Sequence, residues 1–187
     1  MADKPQPVTG ECDRVIIGRA KIKRRITTLA RQIDAIYQGK ELTILAVLTG
    51  SLVFLSDLVR QLPLKIRIYV VRASSYCGKK SAPGKLTLSQ IPECLAGQNV
   101  LIVDDILDTG QTLGGLLDRV KRRKPASVRT CVLLKKVRCS NGRVEADFVG
   151  FEIPDEFVVG YGLDYDDLYR NLPDICTLRK HILKEGR

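Results

Sequence analysis

The sequence predicts an α/β protein in which a mostly parallel sheet carries helices on both faces. Three observations lead there. Short apolar runs bounded by polar residues recur at "LTILAVL" (Leu42–Leu48), "KIRIYVV" (Lys65–Val71), "NVLIV" (Asn99–Val103) and "VRTCVLL" (Val128–Leu134). Stripes with helical spacing separate several of them. The run ending at Val103 then meets the acids and polar turn of "DDILDTGQT" (Asp104–Thr112), where an open α/β sheet binds its ligand, beyond the carboxyl ends of its strands.

The elements follow in chain order. The first dozen residues have little apolar content and are expected to be a mobile tail, with 14–187 forming one domain. From Arg19 to Gln38, the residues Ile22, Ile26, Leu29, Ile33 and Ile36 recur at steps of four and three, one stripe of an amphipathic helix that Gly39 ends. "LTILAVL", "TGS" and "LVFLSDLVRQL" then read as strand, tight turn and helix. A strand at Lys65–Val71 precedes the polar, glycine-containing stretch 73–93, which suits a mobile loop or lid. Leu113, Leu116, Leu117 and Val120 form a helical stripe ending before Pro125, although Gly114 and Gly115 weaken it by about 1 kcal/mol each. The region from Asp147 onward mixes aromatics, acids and prolines, and is expected to fold over the sheet.

Composition narrows the function classes. The chain of 187 residues, 44% hydrophobic and 28% charged, is within the size of one compact domain. No apolar run approaches the roughly 20 residues that span a bilayer, and the start lacks a signal-peptide pattern, so a cytosolic protein without membrane contact is expected. Its six cysteines have no metal-site or redox-motif spacing and are expected to be reduced, Cys131 within the core. The formal charge of +10 and the cluster "RVKRRK" (Arg119–Lys124) suit a polyanion, but a solvated helix end explains the cluster as well. His181 is the single histidine and lies in a basic tail, so an acid or base is sought among carboxylates, lysines and tyrosines.

The three acids at the end of the strand carry the chemistry. In "DTGQT", Thr109, Gly110, Gln111 and Thr112 supply hydroxyls, free amides and a backbone able to curl around a phosphate. Carboxylates beside such a cradle repel an anion unless they meet its hydroxyls, hold magnesium or take a proton. A sugar phosphate satisfies this: Asp104 and Asp105 accept from adjacent ribose hydroxyls, and Asp108 faces the reacting carbon. Receiver domains and haloacid-type phosphatases also use strand-end aspartates, but neither needs "TGQT". No P-loop or dinucleotide glycine fingerprint is present.

"VLIVDDILDTGQT" resembles the signature of type I phosphoribosyltransferases, which bind 5-phosphoribosyl 1-diphosphate. "DFVGFEIPDEFVVGYGLDYDDLYRNLP" (Asp147–Pro173) resembles the base-binding region of the hypoxanthine-guanine branch of that family, and the likeness extends from about Ile16 to Thr177. The resemblance implies purine salvage with Mg2+: transfer of phosphoribosyl to hypoxanthine or guanine, Asp108 serving as catalytic base. It implies a small hood over the site, built from the N-terminal segment and about 147–187. It assigns the 6-oxo group of the purine to Lys136, the base pocket to Glu156, Phe157 and Val158, a metal contact to Asp164 and a pyrophosphate contact to Arg170. "SSYCG" matches the family's lid, with Ser75 and Tyr76, and the family commonly forms homodimers or homotetramers.

One departure stands out: in "VLTGS", Thr49 replaces the lysine usual in the family's pyrophosphate turn, leaving the amides of Thr49 and Gly50. The family's cis peptide falls between the first two residues of that turn. Nucleic acid is not an expected partner. The alternatives are an RNA-binding regulator on the same fold, or an enzyme for xanthine or another base.

Overall fold

The computed structural model describes residues 10–75, 86–88, 91–137, 144–179 and 181–182. In chain order the described elements are β1 (Cys12–Ile17), α1 (Arg19–Tyr37), β2 (Leu42–Leu48), α2 (Leu52–Val59), β3 (Ile66–Ser75), β4 (Leu86–Leu88), β5 (Asn99–Leu107), α3 (Gln111–Lys121), β6 (Ser127–Lys136), β7 (Phe148–Ile153), β8 (Val158–Val159) and β9 (Ile175–Leu178). Six strands form the large sheet in the order β4-β3-β2-β5-β6-β7. Every pair from β3 to β7 is parallel, and β4 alone is antiparallel. Successive side chains of a strand point to opposite faces, and here each face finds a helical cover. Ile44, Ala46, Leu101, Val103 and Leu133 belong to the core with α1 and α2, while Leu45, Val100, Ile102 and Val132 belong to the core with α3.

Because β2 connects outward to β3 and the chain then returns to β5 on the other side, the strand order reverses between β2 and β5. Ligands of open α/β sheets bind at such a reversal, outside the carboxyl ends of the two strands. The turn Thr49–Gly50 and the acid Asp108 follow those two ends.

The helical stripe of α1 packs as its spacing implies. Ile22, Ile26, Leu29 and Ile33 are fully buried, each contributing about 1.5–3 kcal/mol of apolar burial. The last turn departs from the stripe: Ile36 is 37% exposed, and Tyr37 takes the buried position. Arg25 reaches across to the edge strand, donating from Nε to Gly150 O at 2.8 Å and from Nη2 to Val149 O at 2.6 Å.

A second, antiparallel sheet has the order β1-β9-β8. Two contacts tie this part of the chain to the large sheet's helices. The Arg19 amide donates to Asp174 Oδ1 at 2.6 Å, where Asp174 is buried, and Tyr161 OH donates to Asp57 Oδ2 on α2 at 2.5 Å.

Three expectations need correction. The strand expected to end at Val103 continues to Leu107, because Asp104 and Ile106 still pair with Val132 and Leu134 of β6. The stretch 73–93 contains structure: β3 runs on to Ser75 and pairs with β4. The region from Asp147 does not all fold over the sheet, since Phe148–Ile153 is the large sheet's parallel edge strand and only the later residues enter the second sheet. The expected tail before residue 10 lies outside the described residues.

Candidate active site

Two adjoining cavities open at the carboxyl edge. The first, about 310 Å³, is lined by Thr49, Gly50, Asp104, Asp105, Asp108, Thr109, Gly110, Thr112, Asp164 and Arg170 among others. The second, about 180 Å³, is lined by Asp105, Ile106, Asp108, Lys136, Phe157, Val158, Leu163 and Asp164. Asp105, Ile106, Asp108 and Asp164 border both.

Local backbone bonds hold the first two carboxylates at the end of β5. Asp104 Oδ1 accepts the Asp105 amide at 3.0 Å, and Asp105 Oδ1 accepts the Ile106 amide at 2.8 Å. Asp104 is buried, and burial together with the neighbouring Asp105 charge pushes its carboxyl well above the usual range. Burial also raises Asp105, with opposing contributions from its hydrogen bonds and the Arg170 charge.

The turn after β2 sits directly against Asp105. The Leu48–Thr49 peptide is cis. A methyl group at Gly50 would lie 1.6 Å from Asp105 Oδ2, so only glycine allows this approach. Buried Ser51 donates from Oγ to Val47 O at 2.5 Å, and the Leu52 amide donates to Thr49 O at 3.1 Å. At the other turn, Thr109 Oγ1 accepts the Gln111 amide at 3.4 Å, and Gly110 at φ +79° leads into α3.

On the far wall, Arg170 Nη1 lies 2.7 Å from Asp164 Oδ1 and donates to Gly162 O at 3.0 Å, while Nη2 lies 2.8 Å from Asp167 Oδ1. Arg170 therefore faces the first cavity with its guanidinium already tied to the loop that bears Asp164. Lys136 is buried, with Nζ 3.3 Å from Asp108 Oδ2 and 3.1 Å from Asp155 Oδ1. The Phe157 ring is 46% exposed and meets Tyr165 edge-on, with centroids 5.5 Å apart.

The structure thus gathers most of the residues singled out from the sequence, with exceptions. Gln111 is exposed and lies outside both cavity linings. Glu156 also lies outside the lining of the second cavity; both its oxygens pair with Arg14 Nη2, at 3.0 and 2.8 Å. Ser75 ends β3, and Tyr76 lies outside the described residues. Ile106, Leu163, Asp155 and Tyr165 were not foreseen; the only available signal was their proximity to the acids and to the "IPDEF" and "LDY" segments.

The donor set suits a hard cation only with help. Among the described residues no three His, Cys, Asp or Glu side chains converge on a metal position. Magnesium is commonly held by one or two carboxylates and completed by substrate oxygens and water, and Asp164 in the lining of the first cavity fits that mode.

The reversal of strand order lies beside paired acids, a glycine-bearing turn and two adjoining cavities, and residues 17–166 match the phosphoribosyl transferase domain. The hypoxanthine-guanine phosphoribosyltransferase of Mycobacterium avium is 37% identical over 183 residues, covering 94% of this chain and 90% of that protein. The bifunctional protein TilS/HprT of Listeria innocua is 37% identical over 94% of this chain, which spans 27% of that longer protein. A structure of the Trypanosoma cruzi hypoxanthine phosphoribosyltransferase, a variant complexed with the product IMP, superposes with a TM-score of 0.87 at 34% identity, covering 96% of this chain and 98% of that one. The chain belongs to the hypoxanthine-guanine phosphoribosyltransferases within the phosphoribosyl transferase family.

Proposed function

We propose that this protein performs purine salvage, transferring the 5-phosphoribosyl group from 5-phosphoribosyl 1-diphosphate to hypoxanthine or guanine and giving IMP or GMP with pyrophosphate. The observation that carries the residue assignments is the position of Asp108, a carboxylate bordering both cavities with the Lys136 ammonium 3.3 Å away. Sugar diphosphate fits the acid-lined cavity and the base fits the slot, so the two reactants meet at Asp108.

Asp104 and Asp105 accept from the ribose hydroxyls, and the turn Thr109–Thr112 holds the 5-phosphate through amides and hydroxyls. The Thr49–Gly50 turn and Arg170 bind the diphosphate. Asp164 would hold Mg2+, which when bound would supply charge neutralisation for the leaving group. Phe157 stacks on the purine, Val158 meets its pyrimidine edge, and Lys136 donates to its 6-oxo group. Adenine presents an amino group there, leaving a buried donor unpaired, so it is rejected. Asp108 takes the imidazole-ring proton as the base attacks.

No described helix is long and apolar enough to cross a membrane. A cytoplasmic location and assembly as a homodimer or homotetramer belong to the same reading. The test is nucleotide formation from phosphoribosyl diphosphate, Mg2+ and each of hypoxanthine, guanine, xanthine and adenine, with Asp108→Asn as control. Inosinate and guanylate without adenylate are expected, and xanthylate would widen the substrate range. No nucleotide from any base would overturn the assignment and favour the RNA-binding alternative.

A further inference from the structure

We infer that Asp155 is a positioning residue for the transfer: it holds the Lys136 ammonium and keeps it charge-balanced while Asp108 takes up the proton of the base. The inference rests on the salvage reading and adds a third group to its proton step.

Lys136 lies at the end of β6 with its side chain only 10% exposed, between Asp108 at 3.3 Å and Asp155 at 3.1 Å. The two carboxylates have different surroundings. Asp108 borders both cavities, whereas Asp155 borders neither and is 44% exposed. They also have separate origins. Asp108 follows β5, and Asp155 follows β7, whose register sets Ile153 beside Lys136 and so delivers Asp155 to its ammonium. The Glu156 amide, donating to Pro154 O at 2.8 Å, closes the turn that carries Asp155.

An ammonium has three N–H donors. With one directed to each carboxylate, a third serves the 6-oxo group of the purine. In the transfer, the ring nitrogen's electron pair forms the bond to the anomeric carbon, and the carbon–oxygen bond breaks with its pair leaving on pyrophosphate. The proton of the base goes to Asp108, which thereby loses its negative charge. An ammonium in so enclosed a place is costly without a counter-charge. Asp155 supplies that charge before and after the proton moves, so the step does not strand Lys136. Its partial exposure weakens the effect, which is expected to be smaller than that of Asp108 itself.

The experiment compares wild type, Asp155→Asn, Asp155→Glu, Lys136→Gln and the Asp155→Asn/Lys136→Gln pair in steady-state IMP synthesis. Asp155→Asn is expected to lower kcat about tenfold and to leave KM for phosphoribosyl diphosphate within about twofold. Asp155→Glu should restore most of the loss, and Asp155→Asn should have no further effect once Lys136 is glutamine. An active wild type with unchanged kcat in Asp155→Asn, or an equal loss in both backgrounds, overturns this inference alone. An inactive wild type overturns the salvage reading and this inference with it.

Discussion

Gly162 packs its α-carbon against the carbonyl of Gly50: a methyl group there would lie 2.2 Å from that oxygen, and the backbone has φ +100°. This contact joins the loop that carries Asp164 and Arg170 to the turn that follows β2, and Gly50 in turn touches Asp105. Three chain segments far apart in sequence thus share one wall of the first cavity.

Gly162→Ala introduces both an unfavourable φ and a clash with backbone that has little room to move. A loss of about 3 kcal/mol in folding stability is expected. Urea unfolding checks it, and a loss below about 0.5 kcal/mol would show that the wall rearranges freely.

Asp108→Asn keeps the size and most of the polarity of the side chain but removes the proton acceptor. Turnover should fall about 10²- to 10⁴-fold, with much smaller changes in either substrate's KM. Parallel losses in kcat and binding would instead make Asp108 a scaffold carboxylate.

Asp104 offers a test by pH. Burial and the Asp105 charge raise its folded pKa, so the folded chain holds its proton to higher pH than the unfolded chain does. Over that window the folded state binds more protons, and stability falls as pH rises from about 4 through the folded value. Asp104→Asn removes this destabilisation. Its melting temperature at pH 7 should rise about 2–4 °C, with the gain disappearing below about pH 4, while KM for phosphoribosyl diphosphate increases. Thermal melts across pH without added metal make the comparison.

Thr49→Lys places a cation at an exposed position of the turn after β2, the turn proposed to bind diphosphate. Product inhibition by pyrophosphate should tighten about tenfold, equivalent to roughly 1.4 kcal/mol. Unchanged inhibition would mean that the turn's amides and Arg170 already provide the available binding.

Legibility varied with the range of the interactions involved. The stripe Ile22, Ile26, Leu29 and Ile33 is a local periodicity, and α1 buries it as read. The end of β5 was misplaced because the acids at 104 and 105 resemble a strand terminus, whereas pairing with β6 continues the backbone ladder to Leu107. Phe148–Ile153 carries aromatic and acidic residues; pairing with β6 sets its place, and Arg25, more than a hundred residues earlier, donates to two of its carbonyls. The resemblance assigns Glu156 to the base pocket; its side chain pairs with Arg14 on β1 and does not line the second cavity.

The sequence by itself determined the alternation of strands and helices, the acid-rich strand end and the glycine-bearing turn after it, because each is a pattern within a few neighbouring residues. Only the tertiary structure decided that Asp108 borders two cavities, that Lys136 lies between two carboxylates and that Gly50, Gly162 and Asp105 touch. Those relationships arise where β2, β5, β6 and the second sheet's loops converge, and strand order and register, set by packing across the whole domain, bring them together.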